Sequence, residues 1–295
     1  MSALNIQENY PMRKHLSFRC GGNARFFAEI ESIDELIFAR NFSLDKNIPL
    51  FILGQGTNIL ISDLGYNGLI IKLGKSFNSF ELSDNGTQMI AKAKAGVILG
   101  SLSRKVSKEG YAGLQMLAGI PGTIGGAVYM NAGAYGQEIA DTLIEVKTLT
   151  EKGELKTYSN KECSFAYRSS IFQKNKEIIL EASFKLPKSE RNILESEIEN
   201  AMKSRREKQP LDKPNAGSAF KRPKEGFPGA FIEQAGLKGF KIGDAQVSEK
   251  HANFIVNLGN ATAKEIAELF KYVEQKVYER FQIKLEREVI FLGDF

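Results

Sequence analysis

Two cysteines, two histidines and no apolar run of membrane-spanning length mark out what this 295-residue chain lacks. Cys20 and Cys163 give neither a disulfide framework nor the spacing of a metal site. His15 and His251 are too far apart to suggest a shared ligand set, so no metal is expected. The longest apolar stretches, such as Pro49 to Leu53, fall far short of the ~20 residues that span a bilayer, so no membrane insertion is expected. The opening stretch from Met1 to Asn9 has no basic start and no apolar core, which predicts no signal peptide. No internal repeat or low-complexity tract appears. A reducing cytoplasm is the simplest location for such a chain.

What is present belongs to an ordinary globular protein, with 42% hydrophobic and 25% charged residues. The length predicts two domains or three small ones. The net charge of +5 is modest and spread along the chain, with no aromatic-basic module of a nucleic-acid binder. A mild positive balance suits small anionic ligands.

The local pattern reads as α+β. Ser17 to Ala28 is extended around a Gly21-Gly22 turn. Ser32 with Glu35 makes a capping box for a short helix carrying Leu36, Ile37 and Phe42. Strands are predicted at Pro49–Leu53, Gly68–Leu73, Phe80–Leu82 and Met89–Ala95, with Asp84-Asn85-Gly86 as a hairpin turn. A helix over Ile98–Glu109 stops at Gly110, and strands follow near Leu143–Leu149, Gly153–Tyr158 and Ile178–Phe184. Polar Pro187 to Arg191 leads into a basic helix, Asn192–Lys208, then a proline-rich stretch and a short helix, Pro228–Gln234. Strand-like Gln246-Val247 and Phe254–Val256 precede a helix opened by Thr262 and Glu265. Its Ile266, Leu269, Phe270, Val273, Val277 and Phe281 form a continuous core stripe. A last strand is expected over Lys284–Leu292.

Two glycine-rich stretches stand apart. Gly119 to Gly136 holds six glycines among apolar residues, fixed by Pro121. Such a run makes a poor helix, because glycine costs about 1 kcal/mol per interior position. A buried, glycine-lined main chain either lets something approach the backbone, such as a phosphate held by N–H groups, or lets strands pack tightly. The second stretch, Gly54-Gln55-Gly56-Thr57-Asn58, follows a strand and invites a dinucleotide-fold reading. Ile59 stands where the third glycine belongs, and the residues beyond are β-rich instead of helical, which argues against it. A phosphate-cradling loop between strands is the better reading, with Thr57 and Asn58 adding side-chain donors.

Taken together, these segments resemble the UDP-N-acetylenolpyruvoylglucosamine reductase (MurB) family. The resemblance spans nearly the whole chain and rests on six stretches in order. They are Phe18-Arg-Cys-Gly-Gly-Asn-Ala24, Gly54-Gln-Gly-Thr-Asn58, Gly119 to Gly136, Tyr167-Arg-Ser-Ser170, Ala216-Gly-Ser-Ala-Phe-Lys221 and Leu285-Glu-Arg-Glu-Val289. The short path from Tyr167 to Lys208 lacks the tyrosine-bearing insertion of some members, as in the compact subtype. The resemblance implies an α+β fold. It has an FAD-binding body of the vanillyl-alcohol-oxidase (PCMH) type over residues 1–187, in two parts at about 1–73 and 74–187. A C-terminal substrate-binding domain covers 188–295, its last strand returning to the active site.

The implied reaction is NADPH-dependent reduction of an enolpyruvyl ether on UDP-N-acetylglucosamine, through FAD, in peptidoglycan precursor synthesis. The glycine loops correspond to the family's flavin contacts: Gly54, Gln55, Gly56, Thr57 and Asn58, then Gly119, Pro121, Gly122, Thr123, Gly125, Gly126 and Ala127. Neither loop holds a histidine or cysteine, so the FAD is expected to be non-covalent. Arg168 corresponds to the arginine that stabilises carboxylate charge, Ser218 to the proton donor and Glu288 to the essential glutamate. A fork-shaped guanidinium suits a carboxylate, and a glutamate on an apolar face tends toward a raised pKa. Tyr167, Lys208, Lys221, Arg222 and Lys238 fall where the family binds substrate, although Arg222 stands where some members carry asparagine. A flavin oxidase of the same fold and a non-catalytic flavin or nucleotide module are the competing readings. The oligomeric state is left open, a monomer being the default.

Overall fold

The computed structural model describes residues 4–295; residues 1–3, at the head of the stretch read for a signal sequence, lie outside them. The chain builds three α+β units. In the first, Asn23–Ile30 buries Phe26, Phe27 and Ala28 in succession, and the central Tyr66–Leu73 buries Leu69, Ile70 and Ile71. Such runs are those expected of strands covered on both faces. The four-stranded sheet runs in the order Gln7–Pro11, Asn23–Ile30, Tyr66–Leu73, Leu50–Leu53. Its first pair is antiparallel and the other two pairs are parallel. The helix Ile33–Asp45 packs on it. Ser32 accepts the Glu35 N–H as the sequence predicted, but the Glu35 carboxylate reaches back to the N–H of Glu31 instead of Ser32.

The second unit is an antiparallel five-stranded sheet in the order Leu155–Ser159, Leu143–Leu149, Ile178–Pro187, Gln88–Lys94, Phe80–Asp84. The helix Leu99–Lys108 and its own core of about two dozen buried residues complete it. Helix Arg191–Lys208 packs on this unit, against Leu99–Lys108 and the turn Gln115–Leu117. The third unit pairs Lys241–Ile242, Ala245–Val247 and Ile255–Asn257 against the predicted apolar stripe of helix Ala263–Phe281. Its Thr262/Glu265 capping box forms in full.

Three local features differ from the sequence reading. Gln7–Pro11 forms a strand that was not foreseen, because its residues are almost all exposed and carry no alternation. The glycine-rich run contains a short helix, Ile124–Tyr129, despite its composition. Thr123 caps it by accepting the Gly126 N–H. Gly125 lets it lie against Ala95, where an added Cβ would come within 3.0 Å of the alanine Cβ. Close packing thus offsets the propensity cost of glycine. The last strand shrinks from Lys284–Leu292 to Ile290–Leu292. Residues 286–288 bond instead to Ala219 and Lys221, and the chain changes partner at Ile290, which donates to Asn58 O.

That change of partner fastens the third unit to the first. Ile290–Leu292 pairs in parallel with Ile59–Ile61, and Phe18, Cys20 and Leu60 lie in the third unit's core. Asp63 caps the long helix from outside, accepting the N–H groups of Ala263 and Lys264 at 3.0 and 2.8 Å.

Candidate active site

The three units enclose a cavity of about 430 Å³. One wall is Gly54–Asn58, delivered by strand Leu50–Leu53, and the facing wall is Pro121–Ala127. The two loops are tied together, for the Thr57 hydroxyl donates to Pro121 O at 2.9 Å. Gly56 takes a positive φ of 63° there, and a Cβ would meet His15 O at 2.0 Å, so no other residue fits. Among the described residues, the N–H groups of Gln55, Gly56, Thr57, Asn58, Gly122 and Thr123 donate to no backbone carbonyl. Gly122 and Gly126 face space that side chains would fill. Unpaired backbone N–H groups on two facing loops that line one cavity fit the diphosphate of a dinucleotide cofactor.

A second cavity, of about 490 Å³, opens on the third unit between Tyr167, Arg222, Phe227, Lys238, Lys250 and His251. Arg168, Ser218 and Glu288 line both cavities and stand at their junction. Arg168 lies at the tip of a tight turn closed by reciprocal bonds between Ala166 and Ser169, and its φ is +53°. Its Nε donates to Glu288 Oε1 at 2.8 Å and its Nη2 to Gly133 O at 3.0 Å. Glu288 is held by its own N–H on Ala219 O and by Asn58 Nδ2 on its carbonyl. Burial pushes the Glu288 carboxyl above its ordinary pKa, and the Arg168 and Lys221 charges oppose that only in part. Ser218 follows Gly217, whose φ of +78° makes the turn and whose N–H is held by Asn215 Oδ1.

The other expected residues divide. Gly54, Gln55, Gly56, Thr57, Asn58, Pro121, Gly122, Thr123, Gly125, Gly126 and Ala127 all line the first cavity. Gly119 does not; a Cβ there would meet the Met202 and Arg205 side chains at 2.8–2.9 Å, so its role is to admit helix Arg191–Lys208. Tyr167, Arg222 and Lys238 line the second cavity. The Tyr167 hydroxyl accepts the Arg222 N–H, and the Arg222 guanidinium covers Phe227 at 4.0 Å. Lys208 lines neither cavity and is exposed at its helix end. Lys221 is paired with Glu286.

Arg205 was missed. Its guanidinium lines the first cavity, lowered in pKa by burial with only the Tyr135 phenol opposing. Its signal lay in the helical spacing Met202, Arg205, Gln209, which sets it on the inward face of a helix that looks simply basic. Gln173 was missed too; it fixes the arginine turn by donating to the carbonyls of Arg168 and Tyr129.

Comparison with known proteins agrees with this architecture. Residues 24–159 match the FAD binding domain, and residues 209–292 match the C-terminal domain of UDP-N-acetylenolpyruvoylglucosamine reductase. Fold and site are those of an FAD-containing oxidoreductase, and the facing glycine loops fit that cofactor. The reductase of Syntrophomonas wolfei is 43% identical over 98% of this chain and 95% of its own length. That of Agathobacter rectalis is 41% identical over 99% and 95%. The crystal structure of the reductase (MurB) from Thermus caldophilus superposes with a TM-score of 0.85 at 31% identity, covering 98% of this chain and all of that one. The chain belongs to the UDP-N-acetylenolpyruvoylglucosamine reductase family.

Proposed function

We propose that this chain reduces UDP-N-acetyl-3-O-(1-carboxyvinyl)-glucosamine to UDP-N-acetylmuramate with NADPH, and that Arg168, Ser218 and Glu288 carry the chemistry. The observation that supports this most is that all three side chains line both the glycine-walled cavity and the cavity beside it. When bound, FAD reduced by NADPH supplies a hydride to the terminal methylene carbon of the enolpyruvyl group.

Residues of the chain handle the charge and proton that result. Of the five N–H donors of a guanidinium, Arg168 uses one on Glu288 and one on Gly133, leaving three for the substrate carboxylate. A fixed cation at that point stabilises the negative charge that grows on the carboxylate and its neighbouring carbon. Ser218 gives its hydroxyl proton to that carbon, and the nearby Arg168 and Lys221 charges make the resulting alkoxide tolerable. Glu288 orients Arg168 through its 2.8 Å bond. Its raised pKa also keeps a protonated form within reach, from which it can donate to the substrate. Tyr167, Arg222 and Lys238 bind the nucleotide portion in the second cavity, Lys221 supports Ser218, and Lys208 meets the diphosphate only if its helix end turns inward.

Residues 1–187 act as the FAD-binding body and 188–295 as the substrate-binding unit, with helix Arg191–Lys208 as the strut between them. The flavin is non-covalent, and one chain supplies every residue of the site, so a monomer suffices. Both NADPH and a UDP-sugar are cytoplasmic metabolites, which places the reaction in the cytoplasm.

An anaerobic half-reaction experiment tests the roles. Ser218→Ala is expected to leave flavin reduction by NADPH near normal while slowing reoxidation by the enolpyruvyl substrate by roughly 100-fold or more. Equal slowing of both, in protein that retains FAD, would remove Ser218 as the proton donor.

A further inference from the structure

Ser218 is held from both sides. Before it, Gly217 turns the chain at a φ of +78° and its N–H is held by Asn215 Oδ1 at 2.9 Å. After it, Ala219 and Phe220 are both bonded by one buried residue, Asn253, which is 5% exposed. Asn253 Oδ1 accepts the Phe220 N–H at 3.1 Å, and its Nδ2 donates to the Phe220 carbonyl at 2.9 Å. The Asn253 carbonyl also accepts the Ala219 N–H at 2.8 Å. A carboxamide that pairs with both polar groups of a single residue imitates a neighbouring strand, and its planarity sets direction as well as distance. The other face of the same segment receives the Glu288 N–H on Ala219 O at 2.9 Å. The position of Ser218 relative to Glu288 therefore passes through Ala219 and Phe220, and among the described residues the side-chain bonds to that backbone come from Asn253 on Phe220.

We propose that Asn253 is a positioning residue for Ser218, holding its hydroxyl in register with Glu288 and Arg168 for proton delivery. Asn253 touches no reacting atom in this scheme. Its own N–H donates to His251 Nδ1 at 3.2 Å, and that imidazole lines the second cavity. The side-chain clasp thus acts two residues from the serine, and Asn253 itself lines the second cavity beside that imidazole.

The inference rests on Ser218 as proton donor, and a double-mutant cycle in the FAD-loaded enzyme separates the two ideas. Asn253→Asp keeps the shape and the acceptor but sets a second oxygen against the Phe220 carbonyl. Displacement of the hydroxyl by about 1 Å predicts reoxidation by substrate slower by roughly 100-fold, with flavin reduction by NADPH and FAD content unchanged. In the Ser218→Ala background, Asn253→Asp is expected to slow reoxidation no further, since the group it positions is gone. Asn253→Ala should behave in the same way. If Ser218→Ala acts selectively but the Asn253 effect persists undiminished in its background, the positioning role is overturned and the proton-donor reading stands. If Ser218→Ala is itself unselective, the underlying reading fails. Loss of FAD or of folding in both Asn253 variants would assign the residue to the fold and overturn the proposal.

Discussion

Replacing Arg168 by methionine isolates the electrostatics of the site. Arg168→Met keeps most of the side-chain volume while removing the charge that faces Glu288. The side chains are only 19% and 15% exposed, so the carboxylate left behind cannot be solvated as it would be on a surface. Breaking a buried pair costs about 3–5 kcal/mol, and the residual exposure favours the lower end, about 3 kcal/mol. At 2–4 °C per kcal/mol for a chain of this size, the melting temperature at pH 8 falls by roughly 6–12 °C. The pH dependence carries the sign. Burial already raises the folded-state pKa of Glu288, and loss of Arg168 raises it further. Folding then favours the protonated acid, so its contribution is fully present below the unfolded carboxylate pKa and is lost as pH rises through the raised value. The deficit of Arg168→Met should therefore shrink as the pH is lowered from 8 toward 5.5. Adding Glu288→Gln should recover most of it at pH 8. Thermal unfolding followed by far-ultraviolet circular dichroism measures all of this. A deficit that is independent of pH and untouched by the second substitution would refute the reasoning.

Three further outcomes follow from the same geometry. Gly56→Ala drives a methyl into His15 O on a backbone with φ of 63°; purified protein should carry little FAD by absorbance near 450 nm, and full occupancy would disprove the cradle. Both cysteine thiols are buried and pushed up to about 12 by burial, so a disulfide reagent at pH 8 should label neither until denaturant is added. NADPH and the UDP-sugar both present a diphosphate, and if they take turns in the second cavity, high substrate should inhibit competitively with NADPH in steady-state rates; strictly independent saturation would reject a shared site.

Much of this protein could be read from residue order alone. Periodicity drew the helix Ala263–Phe281, its capping box and the hairpin at Asp84-Asn85-Gly86, because those features depend on neighbours within a turn or two. The glycine loops announced a backbone that something must approach, since bare main chain is expensive unless a ligand or a neighbour uses it. The short helix inside the second loop could not be read there. It exists because Gly125 lies against Ala95, a contact across 30 positions of sequence (125 minus 95). Likewise Arg168 and Glu288 are separated by 120 positions, and nothing local to either determines that they meet. Glu288 reaches Arg168 because the terminal segment leaves Ala219 for Asn58 beside it. The same burial raises its pKa. The resemblance carried by six ordered stretches indicated which groups would do chemistry; long-range packing decided which of them face one another, because burial and proximity are properties of the folded chain.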